Sequence, residues 1–185
     1  FPGWAMPPDK KIYADFIPAA MTPFDIVDYG FFDPKKHFNF NDPDSELAKF
    51  APKQYDFVIG YSLGSQFALR LAPLLDPPPK ALIILSGFAK FAGTKDNPHG
   101  QKSFALNAMI TGMKIQPSRV LREFYKICFG SLKKTIIDEK YIPAPSAMTE
   151  ALRFLLNCDF RDQTAKIKCP CLVIAGEQDT VVKVS

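Results

Sequence analysis

Histidine is scarce: the 185 residues hold two, His37 and His99, and a single tryptophan, Trp4. Any acid–base chemistry that needs imidazole therefore has few candidates. Long apolar runs are absent. The longest aliphatic stretch, Ala81 to Leu85, is far short of the ~20 residues of a membrane span, so no membrane role is expected. No signal or transit peptide is visible at the start. Blocks of one charge are also missing, and the net charge is only +4, which does not suggest a nucleic-acid partner. The four cysteines, Cys128, Cys158, Cys169 and Cys171, include no CxxC pair. Neither a zinc site nor a disulfide framework is expected, and no metal. No Asn-x-Ser/Thr acceptor occurs. Reduced thiols fit a cytoplasmic protein.

What is present is a globular composition, 47% hydrophobic and 23% charged, of a length suited to one domain. Tyr55–Gly60, Lys80–Gly87 and Cys171–Gly176 read as strands. Unbroken aliphatic strands alternating with helices predict an α/β fold, a parallel sheet covered on both faces. Leu63 to Leu75 reads as a helix, with Leu63, Phe67, Leu71 and Leu75 on its inner face and Asp76-Pro77-Pro78-Pro79 as its stop. Asp9–Ala20 predicts a helix with Ile12, Phe16 and Ile17 near helical spacing; Phe24–Tyr29 predicts a short strand, and Ser45–Ala51 a short helix.

Between Phe88 and Lys166 the pattern becomes helical. Arg119–Phe129 has Ser118 as its expected N-cap and Gly130 as its stop, and Ala147–Asn157 carries Met148, Leu152, Leu155 and Leu156 on one face. The expected organisation is a first core part over 1–87, a helical lid over 88–166, and a core strand with an acid turn over 167–185. The chain begins at Phe1 without Met and ends just after a strand, so both ends are expected to be cut within a fold.

One motif carries chemistry. Gly60-Tyr61-Ser62-Leu63-Gly64 is G-x-S-x-G, between an apolar strand and an amphipathic helix. Small residues two before and two after the serine let strand and helix approach. The sharp turn lifts the Ser62 hydroxyl clear of the sheet. It also aims the Leu63 N–H at an oxygen that becomes negative during acyl transfer. Such a serine needs a base and an orienting acid. Asp179, in the turn after the last strand, is the expected acid, with Glu177 the second choice. Both histidines precede Asp179, against the Ser–acid–His order, and both read as exposed loop residues. The base is therefore expected beyond Ser185.

Phe1-Pro2-Gly3-Trp4-Ala5-Met6, Gly60-Tyr61-Ser62-Leu63-Gly64-Ser65 and Leu172-Val173-Ile174-Ala175-Gly176-Glu177-Gln178-Asp179 resemble the α/β-hydrolase superfamily. More narrowly, the chain resembles the pimeloyl-[acyl-carrier-protein] methyl ester esterases of biotin synthesis. Pro2-Gly3-Trp4-Ala5 is similar to their His-Gly-Trp-Gly, and Phe154 to Arg161 is similar to their segment before the acid strand. The chain departs from them at Pro2, where they carry His, and at Tyr29-Gly30-Phe31-Phe32, where they carry a Gly-rich turn.

The resemblance implies Ser62 as nucleophile, Asp179 as acid, and the Trp4 and Leu63 amides as an oxyanion hole. Trp4 and Phe124 would line the acyl pocket. It implies an acyl ester substrate. Nothing in the sequence resembles a phosphate-binding glycine loop, so no cofactor is expected.

From Lys95 to Lys140, nine Lys/Arg stand against four Asp/Glu, so the positive charge gathers in the lid. Arg119, Arg122 and Lys126 share one helical face, with Lys133 and Lys134 after the Gly130 stop. An acidic acyl carrier protein would fit that face. Val120, Phe124 and Ile127 are expected to pack inward. Three functions stay open at this point: a carrier-directed serine esterase, a broad carboxylesterase or thioesterase, and a non-catalytic binding protein on a hydrolase scaffold. A monomer is expected.

Overall fold

The computed structural model describes residues 1–14, 17–130 and 143–183. Its centre is a parallel sheet of three strands in the order β1 (Phe57–Tyr61), β2 (Ala81–Leu85) and β3 (Cys171–Ile174). Phe57 pairs with Ala81 and Tyr61 with Leu85, and Leu82 pairs with Cys171 and Leu85 with Ile174. Parallel pairing puts the carboxyl ends of all three strands at one edge, where ligands of open α/β sheets bind. The Phe1 amino group donates to the Ile59 carbonyl (2.9 Å) and Tyr61 N–H to the Phe1 carbonyl (3.0 Å), so the first residue lies along β1.

Helix α1 covers Lys10–Ala14, α2 Pro43–Ala48 and α3 Leu63–Leu71. Asp42 caps α2 by accepting from the Ser45 N–H, and Pro43 opens it. The predicted inner face of α3 is buried at Leu63, Phe67 and Leu71, and Leu75 is buried just beyond it. The helix ends earlier than expected, tightening into a 3₁₀ turn over Ala72–Leu74, because Pro73 cannot continue the helical ladder.

Between β2 and β3 the chain forms α4 (Ser103–Ile115), α5 (Pro117–Phe129), α6 (Pro145–Asn157) and α7 (Arg161–Thr164). Helix α4 packs against both α5 and α6. Gly130, at φ 50°, ends α5 as expected. Its cap differs from expectation. Pro117 is the first helical residue, so Gln116 holds the N-cap position and Ser118 lies inside the first turn. The core side of α5 is Leu121 and Tyr125, both 4% exposed, while Ile127 is 60% exposed. Of the residues expected inward, Val120 and Phe124 do pack against the core, half-buried, and Ile127 lies away from it.

Two further expectations change. Phe24–Tyr29 is extended, with Val27 and Tyr29 buried, but belongs to no strand. Aromatic packing holds it instead. The Tyr29 ring lies 5.1 Å from Phe38, 5.2 Å from Phe31 and 5.5 Å from Phe67, and Phe154 stacks on Phe67 at 5.0 Å. The helix expected over 9–20 is a single turn, α1, followed by a 3₁₀ turn at Ala19–Met21; Phe16 lies outside the described residues. Finally, β3 is not covered as a buried parallel strand should be: Leu172, Val173 and Ile174 are 50–63% exposed, since the principal helix packing of the described residues falls on β1 and β2. Among the described residues, no helix is long and apolar enough to cross a membrane.

Candidate active site

Ser62 stands between the last residue of β1 and the first of α3, at φ 50° and ψ −116°. That conformation costs a β-substituted residue about 1–3 kcal/mol and persists only where the surroundings impose it. The surroundings here are close. Ser62 N–H donates to the Leu85 carbonyl (2.9 Å), and the Ser62 carbonyl accepts from Ser65 N–H (2.9 Å). A methyl group at Gly60 would stand 2.7 Å from Ser65 Cα, and one at Gly64 would stand 2.1 Å from the Phe1 carbonyl oxygen. Both glycines are what lets strand, helix and first residue converge. The other described non-glycine residues at positive φ are Ala5 (57°) and Ser86 (43°); Ser86 lines a cavity with Ser62, and Ala5 stands between Trp4 and Met6, which line it too.

That cavity has a volume of about 140 Å³ at the carboxyl edge of the sheet. Its walls bring together Trp4, Tyr61, Ser62, Phe124, Cys128 and Asp179. Gly3 approaches Ser62 so closely that a Cβ on it would lie 3.4 Å from the Ser62 Cβ. This brings the Trp4 turn beside the serine. Leu63 is fully buried; as the first residue of α3 its N–H has no intrahelical acceptor.

The Trp4 side chain is held at both ends. Its indole Nε1–H donates to the Met148 carbonyl on α6 (2.9 Å), and its ring meets Phe124 of α5 edge-on at 4.7 Å. Tyr125 donates its hydroxyl to the Ala5 carbonyl (2.7 Å). Two helices of the segment between β2 and β3 therefore clamp one turn of the first few residues.

Asp179 follows β3. Its Oδ1 accepts from the N–H groups of Val181 and Val182, both at 2.8 Å, and its own N–H donates to the Gly176 carbonyl (3.1 Å). The amides fix the carboxylate's orientation. Glu177, the second-choice acid, is exposed and does not line the cavity. The Cys128 thiol is pushed up to about 11 by burial and then by the Asp179 charge. Burial foremost, then Cys128 and Asp179, raise the Tyr61 phenol to about 12. Both groups stay protonated at neutral pH, which leaves the thiol a poor nucleophile.

Cys128 and Tyr61 were not singled out in the sequence, though each had a signal. Cys128 lies one helical turn after Phe124, and Tyr61 is inside the elbow motif. Ser86 also had one: it follows β2 as Ser62 follows β1, and it lines the cavity.

The remaining site candidates lie elsewhere. Arg119, Arg122 and Lys126 are exposed and outside this cavity. Lys133 and Lys134 fall outside the described residues. Both histidines are exposed, and His37 faces Glu150 at 3.5 Å. Among the described residues, no histidine lines the cavity, and no cluster of three His, Cys, Asp or Glu could hold a metal ion.

An esterase from Exiguobacterium antarcticum superposes on 99% of the chain with a TM-score of 0.80 at 17% identity, over 74% of its own length. A hydrolase from Oleispira antarctica covers 98% with a TM-score of 0.79 at 14% identity, over 72% of its length. This is the α/β-hydrolase fold. MenH from S. aureus shares it, with a TM-score of 0.67 at 18% identity over 95% of this chain and 73% of MenH. No protein-family model matches.

Among curated proteins, this chain is 29% identical to a pimeloyl-[acyl-carrier protein] methyl ester esterase of Wigglesworthia glossinidia brevipalpis, over 80% of the chain and 60% of that protein. It is 26% identical to the esterase of the same description from Neisseria meningitidis serogroup C, over 67% of the chain and 51% of that protein. The chain thus spans between half and three-fifths of the length of these curated relatives.

Proposed function

We propose that the protein is a serine carboxylester hydrolase that works through an acyl-enzyme. The observation that carries this reading is Ser62 on a strained strand-to-helix turn, sharing one aromatic-walled cavity with the amide-oriented carboxylate of Asp179. Ser62 Oγ attacks the ester carbonyl carbon while a histidine takes the hydroxyl proton. The N–H groups of Trp4 and Leu63 hold the oxyanion; losing one such donor costs on the order of 100- to 1000-fold in turnover. The C–O bond to the leaving alcohol breaks, and the histidine returns the proton to that oxygen. Water, deprotonated by the same histidine, then cleaves the acyl-serine bond and releases the acid. Asp179 holds the imidazole in its working tautomer and balances its charge. Because neither His37 nor His99 lines the cavity, we assign the base to the part of the protein beyond Ser185.

The substrate class follows the relatives, whose names specify a pimeloyl-carrier-protein methyl ester. Trp4 and Phe124 form the apolar wall for the acyl chain. The helices between β2 and β3 act as a lid, and the exposed Arg119, Arg122 and Lys126 on α5 receive an acidic carrier protein. Biotin synthesis in the cytoplasm is the setting this substrate implies.

In the full-length protein, Ser62→Ala is expected to lower ester turnover by about 10⁴-fold or more. It should also abolish labelling by a fluorophosphonate while the circular dichroism is retained. Undiminished hydrolysis, or labelling that persists at another residue, rejects the reading.

A further inference from the structure

The chain crosses between sheet and helices twice, leaving β2 through Gly87 and Phe88 and returning from α6 through Cys158. On the outside, the two crossings hold each other. Phe160 N–H donates to the Ala89 carbonyl (2.8 Å), and Lys90 bridges Asp159 in an antiparallel pair. Lys90 Nζ lies 3.1 Å from Asp96 and 3.2 Å from Asp159, and Arg161 pairs with both carboxylates. None of these polar contacts reaches α3, from which Arg70 lies over the Phe160 ring (4.8 Å).

On the inside, two polar residues of α3 do. Ser65 and Gln66 are both fully buried, one turn after Ser62. Ser65 Oγ accepts from Phe88 N–H (3.2 Å) and lies 3.3 Å from the Phe88 carbonyl, to which it can donate. Gln66 Nε2 donates to that same carbonyl, while Gln66 Oε1 accepts from the Cys158 thiol (3.2 Å). The Gln66 amide thus uses one end on the outgoing crossing and the other on the returning one. A buried amide with both ends satisfied specifies geometry, since any other placement leaves polar groups unpaired.

We propose that Gln66 is a positioning residue: by joining Phe88 and Cys158 to the helix that starts at Ser62, it sets the register of the α4–α6 helices over the active-site cavity. Cys158 ends α6, whose Met148 carbonyl holds the Trp4 indole. Helix α4 links α6 to α5, whose Phe124 meets Trp4. A shift at the crossing therefore moves the apolar wall and leaves the nucleophile in place. The proposal rests on Ser62 being the nucleophile, which Ser62→Ala tests separately.

The test uses full-length protein with concentrations set by active-site titration. Gln66→Leu removes both hydrogen bonds at similar volume, and is expected to raise KM for an acyl ester about tenfold, with kcat changed less than about twofold. Cys158→Val should raise KM in the same direction, and Cys158→Ser, which keeps a donor, should restore it toward wild type. A fall in kcat at unchanged KM, or a lower melting temperature with both constants unchanged, overturns the proposal. If Gln66→Leu does not fold, the Val and Ser variants at Cys158 decide: equal KM values in the two overturn it.

Discussion

Tyr29 shows how a single side chain can be well packed and still carry a penalty. It is 1% exposed amid Phe31, Phe38, Phe40 and Phe67, and its hydroxyl is the one buried side-chain polar atom without a hydrogen-bond partner among the described residues. An unpaired buried hydroxyl costs about 1–3 kcal/mol. Tyr29→Phe keeps the ring and removes the penalty. The expected outcome is a stabilisation of about 1 kcal/mol, seen as a higher urea midpoint at unchanged slope. A clear loss of stability would mean that the hydroxyl has a partner after all. At this scale, part of the candidate site was readable: the elbow spacing pointed to Ser62 and the turn after the last strand to Asp179, and both line the cavity. What was not readable was who holds whom. The Trp4 indole reaches a carbonyl 144 positions away, and the Tyr125 hydroxyl one 120 positions away. Such ties have no local pattern, because distance along the chain says nothing of proximity in the fold.

Elements were legible where periodicity was strong. Strands β1, β2 and β3 and helices α3, α5 and α6 appear within a few residues of expectation. Helix α4 went unread because it has no clean polar face: Phe104 and Ile115 are each 71% exposed, and Gly112 sits within it. That glycine has a tertiary reason, since a Cβ there would meet Val120 of α5 at 2.6 Å. The extended run at Phe24–Tyr29 had a strand's alternation, but its backbone found no partner, and aromatic contacts decided its shape. Helix α5 has two working faces. One supplies Phe124, Ile127 and Cys128 to the cavity, and the other exposes Arg119, Arg122 and Lys126. Reversing the three charges to Glu is expected to lower kcat/KM for a carrier-borne ester about tenfold or more relative to a small aryl ester, most strongly at low salt. Equal loss on both substrates would favour a broad esterase with no carrier partner.

For the molecule as a whole, burial of weak acids predicts the response to alkali. Burial is the leading cause that lifts Cys158 and Tyr61 to about 12 and Cys128 to about 11, from ordinary values of 9 for the thiols and 10 for the phenol. Each is raised in the fold, so between the ordinary and the raised value the unfolded chain holds fewer protons than the native one. Stability is then complete below pH ~9 and falls as pH rises toward 12. Urea midpoints at pH 7, 9 and 10.5 measure this, and a midpoint unchanged across that range contradicts it. The same architecture joins two regions of the chain in one device. On the proposed reading, the turn that would steady the developing negative oxygen is itself steadied by α5 and α6, through Tyr125 and Met148. A guest too bulky for those helices to settle upon would press first on the apolar wall that Trp4 and Phe124 form. Selection by size would then be exercised at the door, with the polarising amides kept for guests that fit.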